Sequence, residues 1–282
     1  MELTVGSIFS ETWAQMKSRF GILLGLMVAF FVGNLFLSGI LTAIMGTSMM
    51  AIGSDGLGAM GAGFAVMMLL VYLIYFAVSF AGQAAMVHGA SPRTSGDFGQ
   101  AFLAGFRSIL PMAAMVIILG IVATLVVLIL GVITAAVGSV GALTALLVVP
   151  AFIYLACRLS VVIPIIAVDR VLNPITAIRE SWRATRGNVL PIFLAVLLFV
   201  VIVVVGAIIV FAPIVGVFVS AVGDGDVPST GMVGAIGGSI AWVFIAGIAY
   251  YVLISLAGAA FPAAIHARLF GRTDEKVAET FA

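Results

Sequence analysis

The segment DRVLNPITAIRESWRATRGNVLP, residues 169–191, decides the fold of this chain. Asn173-Pro174 predicts the start of a helix, because asparagine is a favoured N-cap and proline is tolerated at the first helical position. A long apolar run follows this helix at once, so we expect the helix to lie in the membrane interface, as an elbow before a membrane span. The helix divides into an apolar face and a basic face: Ile175, Ile178 and Trp182 on the first, and Arg179, Arg183 and Arg186 on the second.

The composition indicates a membrane protein. The 282-residue chain is 64% apolar and 8% charged, whereas a soluble domain is roughly half apolar and a quarter charged. About 20 apolar residues are enough for one helical span. The fold class is therefore predicted to be all-α, a polytopic membrane protein with six transmembrane helices. The six apolar runs lie near residues 21–45, 62–87, 109–135, 142–167, 189–219 and 236–265.

The placement of basic residues predicts the orientation. Of the 12 lysines and arginines, all except Arg158 lie before the first run, after the sixth, or in the connections between runs two and three and between runs four and five. The other connections contain no Lys or Arg. Since basic residues are enriched in cytoplasmic loops, we expect both termini in the cytoplasm. A net charge of +1 offers no general basic surface, so no nucleic-acid partner is expected.

A short amphipathic segment precedes a pair of spans three times. The first segment runs from Thr4 to Phe20, and the second follows the polar connection 91–97. Residues 1–272 are thus predicted to form a single membrane domain of three elbow-helix plus hairpin repeats, about 1–92, 93–172 and 173–272. Residues 273–282 form a short polar tail, predicted to be cytoplasmic. The alternative is coincidence, because amphipathic helices precede spans in many unrelated proteins.

The segment from Val168 to Asn188 also resembles a known bacterial family. It is similar to the membrane domain fused ahead of glycerophosphodiester phosphodiesterases, and to stand-alone relatives of that domain that have six spans in the inner membrane. The resemblance implies a membrane fold in the bacterial inner membrane and no activity, since catalysis in the fused proteins belongs to a separate soluble barrel. The family's elbow pattern P-x-x-A-x-x-x-S-W-x-x-T-x-G-N is matched by Pro174, Ala177, Ser181, Trp182, Thr185, Gly187 and Asn188, and its upstream arginine and proline by Arg158 and Pro164.

Arg158 is the only ionisable residue deep in an apolar run. It precedes Asp169 by eleven residues, which in a continuous helix places it about 16 Å from the membrane boundary, near the midplane. A charge at that depth costs from about 2.5 to more than 10 kcal/mol, so we expect a partner. The candidates are backbone carbonyls freed by Pro150 or Pro164, the hydroxyls of Ser160 or Tyr154, water, or an anionic ligand.

The candidate ligand or lipid-headgroup site consists of Arg158, Arg179, Arg183 and Arg186. Guanidinium groups suit phosphate, and each basic residue near an anionic membrane surface contributes about 1 kcal/mol. Two alternatives stay open: Arg158 caps carbonyls inside the bundle, and the other three arginines only set the topology. His88 and His266 lie at span ends with no accompanying ligand cluster, so neither a metal nor a cofactor is expected.

The sequence therefore favours a non-enzymatic integral membrane protein. No Ser/His/Asp, Cys/His or paired-carboxylate set occurs at matching depth. The leading interpretation is a lipid-interacting scaffold or accessory subunit whose partners are membrane phospholipids and an unidentified protein. The alternative is a transporter or flippase-like carrier of an anionic lipid or small anionic solute, with Arg158 in its pathway.

Overall fold

The computed structural model describes residues 3–52, 62–137, 141–223 and 230–281, and over these ranges it contains helices joined by short turns and no strand. The predicted polar tail continues the last helix as far as Phe281. In chain order the helices are α1 (Val5–Ser18), α2 (Phe20–Ile52), α3 (Ala62–Ala90), α4 (Phe98–Arg107), α5 (Ile109–Val137), α6 (Gly141–Leu159), α7 (Val162–Ala167), α8 (Pro174–Ala184), α9 (Val189–Gly223) and α10 (Thr230–Phe281).

Six segments are long and apolar enough to cross a bilayer, which confirms the predicted all-helical, six-span fold. Their mean hydropathy lies between 1.9 and 3.5, and helices bond their own backbone, as a lipid environment requires. The protein is thus a multi-pass integral membrane protein. The segments are Phe20–Ile44, Val66–Ala90, Ile109–Ala135, Pro150–Ala167, Val189–Val217 and Ile236–Gly271.

Short helices α1, α4 and α8 precede α2, α5 and α9, as the sequence predicts. Each begins with a side-chain N-cap, because a polar acceptor stands where the first amides lack an intrahelical partner. Thr4 accepts from the amide of Ser7, Asp97 accepts from that of Gln100, and Asn173 accepts from two amides. A short helix followed by two spans therefore occurs three times, whereas true repetition of one ancestral unit stays a prediction.

The core lies at the end of the bundle that carries α1, α4 and α8, here called the basic end. Small residues allow α3 and α10 to approach there, among them the fully buried Ala81, Ala85, Ala259 and Ala263. The far halves of the spans leave large side chains such as Leu125 exposed. In a bilayer these exposed apolar surfaces face lipid.

Polar side-chain contacts connect the three predicted repeats at the basic end. Asp169, which follows α7, lies 3.4 Å from Nη1 of Arg93 and 2.7 Å from Nε2 of His266. Arg268 of α10 also contacts Glu11 of α1 at 3.1 Å. The predicted interfacial His266 is completely buried, so its pairing with Asp169 is sheltered from water.

The fourth span, predicted near 142–167, consists of two helices. Helix α6 ends at Leu159 and α7 begins at Val162. The cause is Pro164, since a proline inside a helix lacks an amide donor and clashes with the carbonyl four residues earlier, here that of Ser160. In α7 the proline occupies the first turn, where it is tolerated.

Candidate functional site

Helix α8 docks on the break between α6 and α7. The hydroxyl of Ser181 donates to the backbone carbonyl of Arg158 at 2.6 Å, and the hydroxyl of Thr185 lies 3.5 Å from the same oxygen. Arg158 belongs to the last turn of α6, where carbonyls lose their intrahelical donors. Both hydroxyl side chains are fully buried. Helix α8 therefore supplies hydrogen-bond donors to a backbone carbonyl at the end of α6.

The side of α8 that faces the bundle differs from the predicted apolar face. The structure buries Ala177, Ser181 and Thr185, whereas Ile175 is 59% and Trp182 is 41% exposed. Small residues permit close approach of α8 to its neighbours. The large apolar side chains remain outside, where an interfacial helix meets lipid.

The guanidinium of Arg158 is held between two aromatic residues. Its Nε–H and one Nη2–H donate to the hydroxyl of Tyr154 at 2.9 and 2.7 Å, and Nη1–H donates to the backbone carbonyl of Trp182 at 3.2 Å. Its central carbon lies 5.2 Å from the ring centroid of Tyr154 and 4.9 Å from that of Trp182, distances at which a cation is attracted to an aromatic face. Tyr154 was among the predicted partners, whereas Ser160 donates to Cys157 instead.

Arg158 retains capacity for another acceptor. A guanidinium carries five N–H groups, and three of them donate to Tyr154 and Trp182. No ion pair involves this side chain in the ranges that the structure describes. Two donors and a full positive charge are therefore available to a ligand.

The depth of Arg158 was predicted from a continuous helix, and the structure adds what surrounds the residue. Helix α6 ends at Leu159, and the guanidinium contacts the backbone of α8. Arg158 therefore lies beside an amphipathic helix and within the fourth span, Pro150–Ala167.

All four predicted site residues line one open groove of about 640 Å³. Arg179 and Arg183 are exposed on α8, Arg186 is exposed in the turn that follows it, and Arg158 reaches the groove from α6. The remaining lining residues, Ile175, Ile178 and Trp182, are apolar. The groove therefore combines four positive charges with an apolar wall, and among the residues that the structure describes no carboxylate lines it.

Two apolar grooves lie beside the same part of α6. One, between α5 and α6, has a volume of about 680 Å³ and includes Leu155 and Leu159. The other, of about 370 Å³, is lined by Tyr154, Cys157 and residues at the start of α9. Both have the apolar lining that an acyl chain requires.

Sequence reasoning missed the contribution of Trp182 to holding Arg158. It placed the indole on the apolar face of α8, which is correct for its exposure, but its contact with Arg158 crosses 24 residues between two helices. Such a contact has no periodicity that a single sequence reveals. Within the described ranges, no three His, Cys, Asp or Glu side chains lie close enough together to hold a metal ion.

Comparison with protein-family models, with curated proteins and with solved structures finds no match to this chain. The similarity of residues 168–188 to the membrane domain of glycerophosphodiester phosphodiesterases therefore stays a prediction. What the residues of that pattern do in this fold is nevertheless clear: Ala177, Ser181 and Thr185 dock α8, and Gly187 adopts a positive φ of 83° before α9.

Proposed function

We propose that this protein is a non-enzymatic, lipid-interacting scaffold or accessory subunit of the bacterial inner membrane, with both termini in the cytoplasm. Its arginine groove, lined by Arg158, Arg179, Arg183 and Arg186, binds the phosphate of an anionic phospholipid. The observation that carries the proposal is the convergence of these four arginines, from α6, α8 and the turn after α8, on one groove that no carboxylate lines within the described ranges.

Three features of the groove suit the binding of an anionic lipid. The preorganised guanidinium of Arg158 offers two free N–H groups to phosphate oxygens, and arginine is suited to such recognition. The arginines on α8 and in the turn after it add long-range attraction to an anionic surface. The exposed Ile175 and the apolar grooves of α6 provide contacts for the acyl region.

A carrier with Arg158 in its pathway remains the alternative predicted from the sequence. The position of Arg158 in an open groove beside α8 favours a surface lipid site over a pathway through the bundle. We therefore propose that the protein binds lipid through this groove and that the bound lipid supports its association with a protein partner.

The test is native mass spectrometry after reconstitution with an equimolar mixture of phosphatidylglycerol and phosphatidylethanolamine. At about 1 kcal/mol per basic residue, Arg183→Gln should weaken phosphatidylglycerol binding about fivefold, and the triple change of Arg179, Arg183 and Arg186 to Gln about 100-fold. Lys17→Gln is the matched control, because Lys17 is an exposed basic residue at the end of α1, outside the groove.

Arg158→Gln should abolish preferential retention of phosphatidylglycerol while the protein remains monodisperse in detergent. Equal retention in the wild type, the Arg158 variant and the triple variant would overturn the proposal. A loss of retention in Lys17→Gln as large as that in Arg183→Gln would show that net charge, not the groove, attracts the lipid.

A further inference from the structure

A second groove, separate from the arginines, lies between α2, α3 and α10. Its volume is about 370 Å³, and its lining combines aromatic and apolar residues with uncharged polar ones. Among the residues that the structure describes, no Lys, Arg, Asp or Glu lines it. Its polar side chains include Asn34, Ser38, Tyr75, Ser79, Gln83 and Ser255.

These polar residues form a ladder along the spans. On α3, Gln83 and Ser79 lie seven and eleven residues from Ala90, where the span ends, or about 10 and 16 Å along a helix. On α2, Asn34 and Ser38 lie fourteen and eighteen residues from Phe20, or about 21 and 27 Å. The ladder therefore covers much of a hydrocarbon core about 30 Å thick.

Only part of this ladder is satisfied within the protein. The amide of Asn34 donates to the carbonyl of Phe30 at 2.9 Å, and the hydroxyl of Ser79 contacts both the carbonyl of Tyr75 and Oδ1 of Asn34. The side chains of Ser38, Gln83 and Ser255 and the hydroxyl of Tyr75 make no hydrogen bond within the described ranges.

Unsatisfied polar groups are costly in hydrocarbon, at several kcal/mol each. Water or polar groups of another molecule in the groove would supply partners to these side chains. The volume of the groove has room for about a dozen waters at about 30 Å³ each.

The groove is open to the side of the bundle. Three of its lining residues, Phe31, Leu35 and Tyr251, are 44%, 56% and 50% exposed. In a bilayer these residues face lipid, so a molecule can enter laterally while its apolar part stays outside. The absence of charge from the lining means that no headgroup is held there by an ion pair.

We propose that this groove carries the headgroups of zwitterionic phospholipids between the two leaflets, while their acyl chains remain in the surrounding lipid. The polar ladder replaces hydration of the headgroup step by step, and the uncharged lining prevents tight binding that would stop movement. This activity is independent of the arginine groove, because the two grooves share no residue.

The test uses proteoliposomes that contain phosphatidylcholine and a trace of fluorescent phosphatidylethanolamine, with dithionite added outside. Without crossing, about half of the fluorescence is quenched, because only the outer leaflet is accessible; with the wild-type protein, quenching should approach completion. The double variant Gln83→Leu with Ser255→Ala should slow crossing about tenfold or more, or about 1.4 kcal/mol in the barrier. Tyr72→Phe is the matched control, since this exposed residue of α3 lies outside the groove.

A second measurement does not depend on lipid movement. Ser255→Cys in a Cys157→Ala background should react with a membrane-impermeant maleimide, because the groove is hydrated. Failure of this cysteine to react would overturn the inference. Labelling without lipid crossing by the wild type would mean that the groove is only a water-filled cavity, and this too would overturn the inference. Equal crossing rates in the wild type and the double variant would also overturn it.

Discussion

The clamp on Arg158 predicts a measurable coupling with Tyr154. Tyr154→Phe removes the hydroxyl that accepts two guanidinium N–H groups but keeps the ring below the cation. Polar pairs in membrane bundles average about 0.6 kcal/mol in double-mutant cycles, so two such bonds should give a coupling of about 1.2 kcal/mol. The cycle consists of the wild type, Tyr154→Phe, Arg158→Gln and the double variant.

The assay is equilibrium unfolding in mixed micelles, with the free energy of unfolding of each protein obtained from the transition. The sum of the two single losses should exceed the loss in the double variant by the coupling energy. A parallel cycle of Arg158→Gln with Tyr72→Phe should be additive, because Tyr72 lies on another helix and does not line the arginine groove. A coupling below about 0.3 kcal/mol for the Tyr154 pair is within ordinary additivity and would refute the clamp.

Three further changes test the packing of the basic end by the same unfolding assay. Asp169→Asn should lower the free energy of unfolding by about 1–2 kcal/mol, because it weakens contacts to Arg93 and to the fully buried His266; no loss would contradict the structural role of these contacts. Gly105→Ala should cost about 1–3 kcal/mol, because the added Cβ would lie 2.8 Å from the Cβ of Ala85, whereas Gly120→Ala, with open space around it, should not be destabilising. Gly187→Ala should cost about 1–2 kcal/mol, because its φ of 83° is left-handed; an unchanged value would mean that the turn relaxes.

Local features of the fold were predictable from the sequence. The N-cap Asn173 and the proline after it lie next to the helix that they start, so their effect needs no knowledge of distant residues. The spans were predictable because length and hydropathy are summed along a continuous segment. Three of the four site arginines are close in sequence, on α8 and in the turn after it, which explains why the sequence grouped them.

Features that depend on contacts between helices were not predictable in the same way. The bundle-facing side of α8 is set by the need of α6 for hydroxyl donors at its broken end, and this favours Ser181 over the larger Trp182. The break between α6 and α7 follows from Pro164. Many spans tolerate a proline as a kink, so the sequence alone did not distinguish a break from a kink. The uncharged groove was missed because Asn34, Ser79 and Ser255 come from three helices and each is an ordinary isolated polar residue along its own span.

The concentration of the core at the basic end has a consequence for how this sequence can diverge. Around Ala81 and Ala263, where both side chains are fully buried, a single added methylene displaces a neighbouring helix, so substitutions there should be purged. At Leu125 and Val201, about half exposed, lipid chains adapt to any apolar shape, and leucine, valine, isoleucine and phenylalanine are interchangeable. Homologues should therefore differ most in the far halves of their spans, where residue identities change while the hydropathy stays the same.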